Sequence, residues 1–332
     1  MQDFAQLGRR EAIRTLYEGT PFKPFEDSRF EAVSGERVAT ADRVLLEGID
    51  FDLVYFPLKH LGYKSVACVT GELYAALASP RTLNVTLGLS AKLDFGQVKE
   101  LWEGVVSAAT EFGFGSVALD LQPSRNGLAV SVTATGVAAA GTAPAPASKD
   151  LICVSGALGA AYLGLRVLES GKSQFEKGGS NREELERYRM LVAAYLKPEL
   201  PADLPSQLAA SGITPAGAYF VDRGLADALL RLVSDTGLGA KVYADRIPFE
   251  GGSFELGKTL DLDPVSAAMN GGDDCRVLLV VPISMYERFR HDFQTFDIIG
   301  HIARSEVGAV LVSPDGLEHP VSAPGWPAQN NH

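Results

Sequence analysis

The 332-residue chain is 46% hydrophobic and 21% charged, ordinary proportions for a globular protein, and it is too long for one compact core. Its 41 acidic and 30 basic residues leave a net charge of −11, which argues against non-specific nucleic-acid binding, since that needs a basic face. No apolar run approaches the ~20 residues of a membrane-spanning helix, and the start, Met-Gln-Asp-Phe, lacks the basic and apolar regions of a signal peptide.

The expectation is a cytoplasmic protein with no membrane or nucleic-acid partner. Cys68, Cys153 and Cys275 are widely spaced among apolar residues, which reads as reduced core thiols and not as a disulfide frame or zinc site. In chain order, a short helical pattern covers Ala5 to Leu16, and a strand is expected over Arg37 to Leu46. Pro57 reads as a turn entering a helix, because proline presets φ and lacks a donor that the first helical turn does not need. Val66, Val69, Leu73, Ala76 and Leu77 then recur on one helical face. Glu72 interrupts that helix, and its carboxylate must reach solvent, a cation or a metal, because burying it unpaired is too costly. A strand over Leu83–Leu89, a helix over Phe95–Phe112 ending at Gly113, and strands over Ser116–Leu121 and Leu128–Thr135 follow. Residues 139–148 are an uncharged Ala/Gly/Pro/Thr-rich tract, read as a linker between domains at 1–138 and 149–332.

The second half opens with a strand over Leu151–Ser155 and a helix over Leu158–Glu169, whose small residues allow close backbone approach. Helices are expected over Glu183–Leu196, Leu204–Ala210 and Leu225–Thr236. Strands are expected over Gly217–Val221, Lys241–Arg246, Arg276–Pro282, Asp297–Ile302 and Gly308–Val312. Both halves mix strands and helices without strict alternation, so the fold class is α+β.

The five histidines show no metal-ligand spacing, and neither a P-loop nor a G-x-S-x-G elbow is present. What stands out is a scatter of acids at strand ends and glycine-rich turns: Asp27, Asp42, Asp50, Glu72, Asp120, Asp222, Asp273 and Asp274. Carboxylates so placed suit Mg2+, which takes oxygen ligands and substrate phosphates; the bland alternative for each is a solvated turn acid.

The order and spacing of Glu47-Gly48-Ile49-Asp50-Phe51-Asp52, Leu61-Gly62-Tyr63-Lys64, Leu151-Ile152-Cys153-Val154-Ser155-Gly156, Leu196-Lys197-Pro198, Asn270-Gly271-Gly272-Asp273-Asp274 and Gly325-Trp326 are similar to thiamine-monophosphate kinase, of the aminoimidazole-ribonucleotide-synthetase superfamily, over residues 20–328. The resemblance implies a two-domain α+β fold with mixed sheets covered by helices, and a homodimer joined through the N-terminal sheets. It implies ATP and Mg2+ between the domains and phosphorylation of thiamine monophosphate to the diphosphate. Asp27, Glu72 and Asp120 would hold metal. Asp120, Asp222 and Arg223 would face the nucleotide, and Asp50, Asp273 and Trp326 the substrate.

The metal motifs depart from the family pattern. Arg43, Phe220 and Arg223 stand where the family places acids, Asp50 where it places a histidine, and Gly71 with Glu72 where it places serine and aspartate. Either the two arginines clamp phosphate in place of metal ions, or each makes a salt bridge. The expected function is therefore a thiamine-monophosphate-kinase-like activity, impaired or altered, with a catalytically inactive ligand- or partner-binding dimer as the alternative.

Overall fold

The computed structural model describes residues 30–33, 36–138, 143–176 and 182–323. In chain order the elements are β1 (Phe30–Val33), β2 (Glu36–Leu46), α1 (Leu58–Ala75), β3 (Ala78–Ser90), α2 (Phe95–Glu111), β4 (Ser116–Ser124), β5 (Ala129–Ala138), β6 (Leu151–Val154), α3 (Ala160–Glu176), α4 (Arg182–Arg187), α5 (Arg189–Leu196) and α6 (Leu204–Ala210). There follow β7 (Gly217–Val221), α7 (Leu225–Thr236), β8 (Gly239–Tyr243), α8 (Ser253–Leu260), α9 (Pro264–Asn270), β9 (Arg276–Val281), α10 (Tyr286–Asp292), β10 (Asp297–Ala303), β11 (Ala309–Val312) and β12 (Glu318–Pro320). The α+β class expected from the sequence is what the chain adopts.

The N-terminal strands form a five-stranded sheet in the order β1-β2-β5-β3-β4, and the C-terminal strands a seven-stranded sheet in the order β12-β11-β8-β10-β6-β9-β7. β4 and β5, consecutive in sequence, do not pair. β4 lies parallel to β3 on the edge, and β5 inserts antiparallel between β2 and β3. That placement follows burial: β5 alternates half-buried and buried along its length, whereas most of β4 is exposed.

α1 joins the two halves. All of its residues except Lys59, His60 and Glu72 are buried. One side packs on β2, β3, β5 and α2, the other on β7 and β9. A helix that meets protein on both sides needs no polar face, which is why its apolar residues run around the cylinder. Pro57 caps its start in the extended conformation, as its position suggests. At Gly62 an added Cβ would lie 2.0 Å from the Leu101 carbonyl oxygen, so α1 and α2 cross at backbone distance only with glycine there.

Several expectations are corrected. The helix expected over Glu183–Leu196 is two helices, α4 and α5, broken at Tyr188, whose ring is buried against α8 and α3. The strand expected through Arg246 ends at Tyr243 and turns into a single 3-10 turn. α8, α9 and α10 carried too short a pattern to be read from sequence. The helical pattern over Ala5 to Leu16 lies outside the described residues. Of the tract at 139–148, residues 143–148 run without helix or strand and are mostly exposed.

Candidate functional site at the seam between the halves

Lys64, Cys68 and Glu72 fall at four-residue intervals on α1 and so share one face. β2 and the loop after it bring Arg43 and Asp50 to the same seam. β7 and the turn after it deliver Phe220 and Asp222, and the loop before β9 delivers Asp273 and Cys275.

The centre of this cluster is an ion pair. Arg43 Nη2 donates to Asp222 Oδ2, joining the N-terminal sheet to the turn after β7. The Asp222 side chain is 2% exposed, and Arg223 Nη2 stands 3.8 Å from the same oxygen. Burial alone would push the Asp222 carboxyl upward, but Arg43, then Arg223 and Arg231, hold it down at about 2. Arg43 is correspondingly raised, chiefly by the Asp222 charge. Of the two roles open to these arginines, Arg43 takes the salt bridge.

Lys64 reaches the same region from α1. Its Nζ lies 3.4 Å from Asp273 Oδ2 and 3.9 Å above the Tyr195 ring, and it makes no hydrogen bond among the described residues. Tyr195 Oη donates to the Asp50 carbonyl at 3.2 Å, and the Asp50 carboxylate accepts from Leu46 N–H at 2.8 Å. Burial raises the Asp50 carboxyl, with the nearby Asp273 charge adding to the shift. Glu72 is half-buried and contributes to the field at Arg43.

Beneath the charges the seam is apolar. Phe220, fully buried, lies against Gly71, where an added Cβ would come within 2.0 Å of its ring. Cys68, Ala75 and Cys275 complete this small core. Two positions where the family pattern has polar groups are thus one packed pair.

Asp274 does not face the seam. Its carboxylate accepts from Gly159 N–H at 2.7 Å and Ala161 N–H at 3.0 Å, closing the N-terminus of α3. Burial pushes it up to about 7 against those two donors. For an acid raised in the folded state, the native protein binds the extra proton, so this group's stability contribution falls as pH rises from about 4 to about 7. Asp274→Asn should therefore flatten the pH dependence of the urea midpoint across that window. An unchanged pH profile in the variant would show that Asp274 does not titrate there.

The other expected site residues are placed differently. Arg43 pairs in register with Val132 and, through β5, Val85, and so faces α1. Asp120 pairs with Thr86 on the opposite face of the same sheet, exposed on edge strand β4, where it accepts from Leu121 N–H and Gln122 Nε2. The sheet therefore separates Asp120 from Glu72. Asp27 and Trp326 lie outside the described residues. Tyr195 and the Cys68–Cys275 pair were not anticipated. The spacing of Lys64, Cys68 and Glu72 carried a signal for the first half of each contact, and nothing local marked the second.

Among the described residues the donor set does not fit Mg2+. Among the described residues no three His, Cys, Asp or Glu side chains gather closely enough to hold an ion. Asp222 Oδ1 is buried without a hydrogen-bond partner among the described residues, but its other oxygen is bound by one guanidinium and flanked by a second. A divalent cation added there would meet two like charges.

Residues 30–138 match the family described as AIR synthase related protein, N-terminal domain. A thiamine-monophosphate kinase of Methanopyrus kandleri is 24% identical over 262 residues, 77% of this chain and 76% of that protein. Another, of Aquifex aeolicus, is 24% identical over 324 residues, 96% of this chain and 99% of its own length. A solved structure described as AaThiL complexed with AMPPCP and TMP superposes with a TM-score of 0.78 at 20% identity, covering 96% of this chain and 99% of that one. Escherichia coli HypE, a hydrogenase maturation protein, superposes with a TM-score of 0.66 at 16% identity over 96% of this chain and 98% of its own. With its two mixed sheets spanned by α1, the chain has the fold of these solved structures, and its residues 30–138 are similar to the AIR synthase related N-terminal domain. Over its full length the chain is similar to thiamine-monophosphate kinases.

Proposed function

We propose that the protein is a thiamine-monophosphate-kinase-like protein that takes ATP and a thiamine-phosphate-like acceptor at the seam, with phosphoryl transfer impaired. The curated kinases and the neighbour bound to AMPPCP and TMP support the ligand class. The observation that carries the impairment is the Arg43–Asp222 pair at a position where the family pattern has a metal-binding acid. Phosphoryl transfer in such sites rests on cations that neutralise charge developing on the phosphates. Around this seam stand Arg43, Lys64 and Arg223 against Asp50, Glu72, Asp222 and Asp273. The guanidinium charges are largely answered by the chain's own carboxylates, so little positive charge is left for a polyphosphate.

The decisive assay mixes ATP, thiamine monophosphate and the protein with and without Mg2+, beside an intact relative. We expect thiamine diphosphate at least ~100-fold below the relative, and calorimetric ATP affinity that changes less than ~10-fold with Mg2+. Ordinary turnover with an ordinary Mg2+ requirement overturns the impaired reading. A catalytically silent, ligand- or partner-binding dimer is the second reading, favoured by Phe220 filling the space beside Gly71; ATP binding without any product would select it.

The two sheets are further proposed as separate domains joined by residues 139–148, and the protein as a homodimer through the N-terminal sheet. Leu119 and Leu121 on edge strand β4 are 41% and 47% exposed, apolar side chains on the face that Val85 and Leu87 turn to the core. An unprotected apolar edge is a pairing surface, and a second copy would bury it isologously. Light scattering at micromolar concentration should give a dimer, and Leu119→Lys with Leu121→Lys a monomer. A monomeric unmodified protein overturns it.

A further inference from the structure

Cys68 and Cys275 come from opposite halves of the molecule and meet in the apolar floor of the seam. Both are free thiols, both are buried, and they share one small buried cluster with Ala75 and Phe220. Phe220 and Ala75 pack with them, so their approach is held by the same contacts that join α1 to β7.

Cys275 is also pinned by its own loop. Its φ of 51° lies in the left-handed region, which a non-glycine residue occupies only when its surroundings impose it. The surroundings are evident. Asp273 N–H donates to the Asp222 carbonyl at 2.6 Å, Asp274 is bound to the N-terminus of α3, and Cys275 opens onto β9. On the other side, Cys68 sits one turn from Lys64, with Arg43 beside it. The neighbouring Cys275 thiol, then Arg43 and Lys64, favour its thiolate against the effect of burial. Cys153 has no such company. It lies in a separate core under α6 and α10, and burial pushes its thiol up to about 12.

We propose that Cys68 and Cys275 are a reversible oxidation site, whose disulfide ties α1 to the loop 271–275 and locks the two halves together. The oxidant is a small hydroperoxide. The Cys68 thiolate attacks a peroxide oxygen, the O–O bond breaks, and the departing hydroxide takes up the proton that Cys68 lost. The Cys275 sulfur then attacks the resulting sulfenic acid at sulfur. The S–O bond breaks, and water leaves with the Cys275 proton. Two thiols and one hydrogen peroxide give one disulfide and two waters, and the two electrons pass to the peroxide oxygens. Exposed Met190 and buried Cys153 report on the specificity of the reaction.

The test treats the reduced, full-length native protein with hydrogen peroxide, then maps peptides by mass spectrometry without reduction and follows thermal unfolding. The expected result is a Cys68–Cys275 linked peptide with Cys153 still a thiol. Closing so long a loop should raise Tm by about 5 °C or more, reversed by dithiothreitol. Cys68→Ser and Cys275→Ser should each abolish the link and the shift, and Cys153→Ser neither. Absence of the linked peptide at a dose that converts Met190 to its sulfoxide overturns the proposal. So does a link that forms only in urea, or one that forms in the native protein without moving Tm. None of these readouts depends on ATP or thiamine phosphates, so the result stands apart from that of the kinase assay.

Discussion

Arg43→Met is expected to destabilise the protein by about 3 kcal/mol at pH 7, read as a lower urea midpoint at unchanged m-value. The variant leaves the Asp222 carboxylate, 2% exposed, without its principal partner. Arg223 at 3.8 Å and Arg231 remain near, which keeps the expected loss at the lower end of the range for breaking a buried pair. The effect has a defined pH dependence. The folded carboxyl sits at about 2, below the 3.8 of a free side chain, so its stabilising contribution is complete above about 4 and is lost as pH falls through about 2. The gap between Arg43→Met and the unmodified protein should therefore narrow below pH 4. Combining Arg43→Met with Asp222→Leu removes both charges and should recover most of the loss. Equal destabilisation by the single and double variants would show that the pair does not act as a unit.

Phe220→Asp, which restores the acid of the family pattern, is expected to cost about 5 kcal/mol and to leave little folded protein at 37 °C. The ring is fully buried, so the change removes a large core side chain and places a carboxylate in apolar surroundings with Ala75, Cys68 and Cys275. Gly71→Ala tests the same contact from the other side. Its Cβ would fall 2.0 Å from Phe220 Cε2, and moving a packed ring costs about 1–3 kcal/mol. Phe220→Leu alone opens space, at a cost of about 1–2 kcal/mol. The double variant Gly71→Ala/Phe220→Leu should unfold at a higher urea concentration than the sum of the two singles predicts. Strict additivity would mean that the two residues are not a size-matched pair.

These two contacts also bear on what acids at these positions would require. Single reversions toward the acidic pattern break either a buried ion pair or a packed ring. The charge change and the packing change would have to occur together, because each depends on side chains from the other half of the molecule.

The class of fold was legible from local pattern. α1 was visible in Pro57 and the apolar run after it, β3 in the alternation along Leu83–Leu89, and β2 and β5 lay where strands were expected. The capping box of α2, Asp94 with Gln97, is a local signal of the same kind. The resemblance motifs around Glu47–Asp52 and Asn270–Asp274 located the elements that meet at the seam. These features depend on residues a few positions apart, and such short-range periodicity is what a sequence records directly.

What each site residue does was decided by partners far away in sequence. The substitution of arginine at position 43 was plain in the sequence, yet whether it clamps a ligand or closes an ion pair depended on Asp222, 179 positions on. Asp120 kept its acid, but the register of β4 against β3 turned it to the face opposite Arg43, and a one-residue change of register would have reversed that. Gly71 and Phe220 each looked like the loss of a polar group, and together they are a packing solution. The sequence by itself determined the α+β elements, the acidic charge and the departures from the metal motif. Only the tertiary structure decided that those departures are satisfied internally, because burial, register and pairing across the seam are set by non-local contacts.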